Sequence, residues 1–135
     1  AFTERWITRL GFSPDSRLLT TDNSWQGRHW MELFPVPSGE PWAIEVPGIS
    51  LGTWHFSPDS SRLLLRSSPA FLWDTVTREP ISQIGSTFPF HITAVAASAD
   101  STRFHLAFRG EGNWLTPDRL RVLDAVNGNV ISETT

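Results

Sequence analysis

The chain has 135 residues, 39% hydrophobic and 19% charged, which is long enough and apolar enough to bury a core and argues against disorder. All eleven basic residues are Arg, which excludes a Schiff-base lysine and a phosphate-loop lysine; the net charge of −3, with the Arg residues scattered, speaks against nucleic acid as a partner. With no Cys there is no disulfide, thiolate metal site or Cys nucleophile, and with no apolar run near ~20 residues and no signal-peptide pattern, no membrane contact and a cytoplasmic location are expected.

Residues 5–12 are rich in β-formers and end at Ser13-Pro14-Asp15-Ser16, which suits a type I turn with Pro at its second position. The rival reading, a helix capped by Ser13, needs apolar residues continuing at three- and four-residue spacing, and after Leu18-Leu19 there are none. A second strand is expected at 17–21, then a polar loop from Asp22 to Arg28. Strands at 29–36 and 42–46 follow, separated by a turn at Pro37–Glu40. The same order then recurs. Phe56-Ser57-Pro58-Asp59-Ser60 repeats Phe12–Ser16 at an offset of 44 residues, between strands at 51–56 and 62–66. Strands are expected at 71–74 and 81–84, with a turn at Arg78-Glu79-Pro80. A third, altered copy stands at Ala97-Ser98-Ala99-Asp100-Ser101, between strands at 92–96 and 103–108. A long loop from Arg109 to Pro117, a strand at 120–124, a hairpin turn at Asn127-Gly128 and a last strand from Val130 complete the chain.

Twelve short strands in three groups of four, with no convincing helix, point to an all-β protein built of β-propeller blades: three four-stranded antiparallel sheets forming a partial ring. The expected blade limits are about 5–47, 48–86 and 87–135 within a single propeller segment, 1–135.

The spacing of Ile7, Leu10 and Phe12 before the first Ser-Pro-Asp, repeated as Leu51, Trp54 and Phe56 and again as Ile92, Val95 and Ala97, resembles the WD-repeat β-propeller family. So does the strand ending Leu72-Trp73-Asp74, matched by Leu33-Phe34-Pro35 and Val122-Leu123-Asp124. The third unit is also similar to the Ser-Pro-Asp repeats of TolB-type propellers. Two features depart from the WD pattern: no Gly-His precedes an innermost strand, and only Asp118 matches the family's loop Asp. The family's polar brace is therefore expected to be missing, leaving cohesion to apolar packing between blades.

Closed propellers have about four to eight blades, and this chain encodes three. The terminal blades would leave apolar faces wet, so completion of the ring is expected, by self-association or by a partner protein or segment. A homodimer giving six blades is favoured over a trimer giving nine.

The candidate chemistry is thin. His29, His55, His91 and His105 show no metal-ligand spacing, there is no Gly-x-Ser-x-Gly elbow, and neither a metal nor a cofactor is expected. Asp15, Asp59 and Asp100 recur because the turn recurs; with Ser13, Pro14, Ser57 and Pro58 they are read as turn residues. Arg9 and His55 are read as matching positions in the innermost strands and are expected as solvated channel residues. By the family resemblance, the loops between second and third strands and between blades line one rim of the disc. The candidate binding residues there are Trp25, Arg28, Phe90, His91, Arg109, Asn113 and Trp114, because Trp and Arg suit protein contacts. The plainer reading is that Trp25 and Trp114 fold back over blade edges. The expected function is a non-enzymatic protein-binding or scaffold module. The alternatives are a non-catalytic propeller portion of a larger hydrolase, of prolyl-oligopeptidase type, or of a signalling protein, and a chain made for studying how blades assemble.

Overall fold

A computed structural model describes residues 4–46, 54–66, 70–84, 91–109 and 118–134. No helix occurs among them, and hence none long and apolar enough to cross a membrane. They form three four-stranded antiparallel sheets, each a meander in chain order. The chain divides into two compact units, Ala1–Gly52 and Thr53–Thr135.

The first unit holds one blade: β1 (Trp6–Phe12), β2 (Leu18–Trp25), β3 (Arg28–Pro35) and β4 (Trp42–Val46). β2 runs four residues further than the polar run from Asp22 suggests. Thr20, Thr21 and Asn23 in it are buried, and the Thr20 and Asn23 donors are taken up inside the sheet. The Thr20 hydroxyl donates to the Gly11 carbonyl at 3.0 Å, and the Asn23 amide donates to the Thr21 hydroxyl at 2.8 Å and to the Trp30 carbonyl at 3.3 Å. Buried polar groups are tolerated when bonded in this way. The expected loop Asp22–Arg28 is therefore a two-residue turn, Gln26-Gly27, with φ of 49° and 79°, the positive values a type I′ hairpin requires. Trp30, Met31 and Leu33 are fully buried.

The second unit holds two blades. One is β5 (Trp54–Phe56), β6 (Arg62–Leu65), β7 (Ala70–Asp74) and β8 (Glu79–Ile84); the other is β9 (His91–Ala97), β10 (Arg103–Arg109), β11 (Asp118–Asp124) and β12 (Val130–Thr134). β8 starts at Glu79, so Pro80 lies in the strand opposite Trp73, and the turn is Thr75–Arg78. An edge strand accommodates a proline because one side of its backbone lacks ladder partners. The Asn127-Gly128 turn is likewise longer than two residues. Asp124 N–H donates to the Asn129 carbonyl at 2.8 Å, closing a four-residue loop in which Gly128 alone has positive φ, at 76°.

Leu64, Ala70, Leu72 and Ile84 from one blade and Phe104, Leu106, Leu123 and Ala125 from the next form a continuous core. At about 25 cal/mol per Å2 of apolar surface, such burial is the main term holding the two blades together. Apolar packing is not the whole account, contrary to the sequence expectation. Arg62 Nε donates to the Ala125 carbonyl at 2.7 Å while its Nη1 lies 3.2 Å from the Asp74 carboxylate. Arg66 donates to the Ile92 and Thr93 carbonyls at 2.9 and 3.1 Å. Two arginines thus clamp these adjacent blades.

Candidate functional site

The repeated turn has one geometry in three places. Ser13 accepts at its carbonyl from Ser16 N–H at 2.8 Å, and its hydroxyl donates to Asp15 Oδ1 at 2.7 Å and accepts from Leu18 N–H at 3.0 Å. Ser57 with Asp59, Ser60 and Arg62, and Ser98 with Asp100, Ser101 and Arg103, repeat each bond within 0.2 Å. Ser16, Ser60 and Ser101 all take φ near 60–67°. Every Asp Oδ1 also accepts the backbone N–H two residues on. Each of these carboxylates is thus bonded into its own turn, which is a structural duty.

Hydrogen bonding sets their acidity. At Asp100 the Thr102 hydroxyl, then the Ser98 hydroxyl and the Thr102 N–H, lower the carboxyl to about 2 from the ordinary 3.8. At Asp59, burial raises the value, but donors at Ser61 and Ser57 and the Arg62 charge outweigh it, and the net shift is downward. The sign of the linkage follows. A lowered carboxyl contributes stability that is present above its unfolded value near 3.8 and is lost as pH falls through the folded value. Carboxyl-detected NMR titration of the folded chain should therefore place Asp100 near 2, and Asp100→Asn should flatten the dependence of stability on pH between about 4 and 2. An Asp100 midpoint at the ordinary value would overturn this account of the turn.

The rim candidates divide sharply. Trp25 and Arg28 sit at strand ends and pair with each other across the Gln26-Gly27 turn. The Trp25 ring lies 6.4 Å from that of Trp6, tilted by 37°, so it folds back on β1 as the plainer reading has it. Trp6 is itself 67% exposed, and the pair forms an aromatic patch open to solvent. Arg28 forms an exposed ion pair with Glu45 at 2.9 Å, whose hydrogen bond holds the Glu45 carboxyl below its ordinary value. In the third blade, register brings His91, Arg109 and Asp118 into one row at the end of the sheet: Arg109 is opposite His91 on one side and Asp118 on the other. Arg109 closes β10 and is not a loop residue. Phe90, Asn113 and Trp114 lie outside the described residues.

The two candidate channel residues differ. Phe12 and Phe56 are equivalent, so His55 corresponds to Gly11 and not to Arg9. Arg9 faces Asp22 in the β1–β2 register, and Asp22 lies above the ordinary carboxyl value because burial outweighs Thr8, Arg9 and His29. His55 is half-buried, and burial, then the Arg66 charge, lower it from the ordinary 6.5. His55 is thus not a freely solvated group, whereas Arg9 is exposed on β1. No cluster of three or more metal-ligating side chains occurs among the described residues.

Sequence reasoning passed over Arg62, Arg66 and Trp6. A usable signal existed for Arg62: it stands five residues after Ser57, as Arg103 stands five after Ser98, each opposite an Asp in the third strand.

No protein-family model matches the chain, and no curated protein matches its sequence. Among solved structures it is similar to the acylaminoacyl peptidase of Pyrococcus horikoshii, with a TM-score of 0.67 and 11% identity over 97% of this chain. The chain spans 25% of the length of that protein, a peptidase with a β-propeller domain. At that identity the likeness is one of fold, and with the three meandering four-stranded sheets it makes these sheets propeller blades.

Proposed function

We propose that the chain is a non-enzymatic, protein-binding propeller segment of WD-repeat type, which acts with its blade array completed by further copies of itself. The observation that carries this reading is apolar surface left open at the blade edges. Trp6, Ile7, Leu10 and Phe12 on β1, and Leu120 and Ile131 in the last blade, are all large, hydrophobic and exposed. Large apolar side chains left open along a strand in this way mark an interface. The WD-type kinship rests on Leu72-Trp73-Asp74, where Asp74 Oδ1 accepts from Val76 and Thr77 N–H and so closes the third strand of its blade. A cytoplasmic setting belongs to the same proposal. Light scattering tests self-completion directly. A native mass at an integral multiple of the 15.2 kDa chain is expected, with twice that mass favoured; a monomer at every concentration overturns it.

Binding to a protein partner would use the Trp6–Trp25 patch and its neighbour Arg28, with little change of shape. Trp25→Ala is expected to weaken partner capture at least about tenfold while shifting the melting temperature by less than about 4 °C. A larger fall in melting temperature with binding intact would make the pair purely structural.

The likeness to a peptidase favours a second reading, a non-catalytic propeller portion of a larger hydrolase in which blades filter access to a separate catalytic domain. A nucleophile elbow in the flanking reading frame would select this reading over the first.

A further inference from the structure

The joint between the two blades of the Thr53–Thr135 unit is a template for the contact that completes the array. Its donor face carries Leu64, Ala70 and Leu72, fully buried, with Ile81 packed beside them and Arg62 reaching across. Its acceptor face carries Phe104, Leu123 and Ala125, with Ile92, Val95 and Ala97 from the innermost strand. Besides the Arg66 bonds to the Ile92 and Thr93 carbonyls, two polar bonds at the turn end of the joint set its register: Arg62 Nε to the Ala125 carbonyl, and Asp59 N–H to the Ser101 hydroxyl at 2.9 Å.

Because the turns superpose in sequence, these positions have counterparts on the β1 face of the first blade and on the face of the last blade turned away from the joint, His105 and Ala107 standing there for Leu64 and Arg66. On the acceptor side, Ile92, Val95 and Ala97 correspond to Ile7, Leu10 and Phe12 of β1, which are 49%, 64% and 59% exposed. Ala125 corresponds to Val36, also exposed, and Ser101 to Ser16. On the donor side, Ala70, Leu72 and Ile81 correspond to Leu120, Val122 and Ile131. Leu120 is 47% exposed and Ile131 46%, where Ala70 is fully buried. Arg62 corresponds to Arg103, which is exposed and stands opposite Asp124 as Arg62 stands opposite Asp74. The bulge recurs too. Thr93 and Thr8 sit at matching register shifts, and their hydroxyls donate to the Ala107 and Asp22 carbonyls at 3.2 and 3.3 Å.

We infer that the open donor face of the last blade takes the open β1 face of a second copy of this chain, head to tail, in the register of the internal joint. Arg103 then donates to the partner copy's Val36 carbonyl and Asp100 N–H to its Ser16 hydroxyl, while Leu120 and Ile131 cover the β1 residues Ile7, Leu10 and Phe12. The contact is heterologous: the two surfaces are different, so each copy offers one of each, and repetition closes a ring when the rotation allows. This deepens the self-completion reading above and rests on it.

The experiment uses complementary blocks on the intact chain. Leu10→Asp spoils only the acceptor face and Leu120→Asp only the donor face; both positions are exposed, and circular dichroism checks that each variant stays folded. Each variant alone should be monomeric by light scattering. A mixture of the two should form a one-to-one dimer, because one intact face of each kind remains, and should form nothing larger. Arg103→Ala in the unblocked chain should raise the concentration at which the assembly dissociates at least about tenfold, the effect of one charge-assisted hydrogen bond. If Leu120→Asp alone assembles as the unaltered chain does, or the mixture stays monomeric, head-to-tail docking is overturned while self-completion stands. If the unaltered chain is itself monomeric, the parent reading fails. Should either variant unfold, Ile7→Asp and Ile131→Asp make the same test.

Discussion

Alanine at Gly128 is expected to lower the stability of the second unit by about 2–4 kcal/mol, a fall in melting temperature on the order of 10 °C or more. Two effects add. Gly128 holds φ at 76°, where a side chain strains the backbone by about 1–2 kcal/mol. A Cβ there would also overlap Ser82 Oγ in the preceding blade and approach Ser82 Cβ to 3.0 Å. Gly27 separates the terms. Its φ is 79°, but nothing lies within 4 Å of its Cβ direction, so Gly27→Ala should show the strain alone. Ser82 then supplies the coupling. Its hydroxyl is buried with no hydrogen-bond partner among the described residues, so Ser82→Ala should be neutral or stabilising by up to about 1 kcal/mol. In the Ser82→Ala background, Gly128→Ala should cost measurably less. Equal losses at Gly27 and Gly128, measured by thermal and denaturant unfolding, would show that the second effect is absent.

Phe104→Ala is expected to cost about 3–5 kcal/mol. Phe104 is fully buried at the joint between blades, among Leu64, Leu72 and Leu123, so truncation leaves a void that two rigid sheets cannot collapse to fill. Leu19 is the equivalent position in the first blade and is only half-buried; Leu19→Ala should cost about 1–2 kcal/mol. The midpoint of urea unfolding reads both. A Phe104→Ala loss below 2 kcal/mol would mean that the joint is not a packed core.

Several elements were legible without coordinates because their causes are local. Pro14 and Pro58 preset one backbone angle, Asp15 and Asp59 bond the amide two residues on, and these effects need no tertiary contact. The Asp22–Arg28 stretch was misread for the opposite reason. Asn23 and Ser24 look like loop residues until the Trp30 carbonyl is brought beside β2, and only folding does that. The rim candidates show the same limit. Trp25 and Arg28 were found by residue type, but their partners Trp6 and Glu45 are 19 and 17 residues away in sequence and belong to other strands.

By itself, the sequence determined the all-β class, the grouping of twelve strands by four and the three recurring Ser-Asp turns, because each depends on short-range backbone preference and on a repeat that can be counted. The tertiary structure alone decided which faces of the blades are covered. Burial of Ala70 and exposure of Leu120 at equivalent positions follow from one having a neighbouring blade in its unit and the other not. Hydrophobic pattern marks both as core, since period and polarity are the same; only the presence or absence of an opposing sheet separates a packed residue from one awaiting a partner.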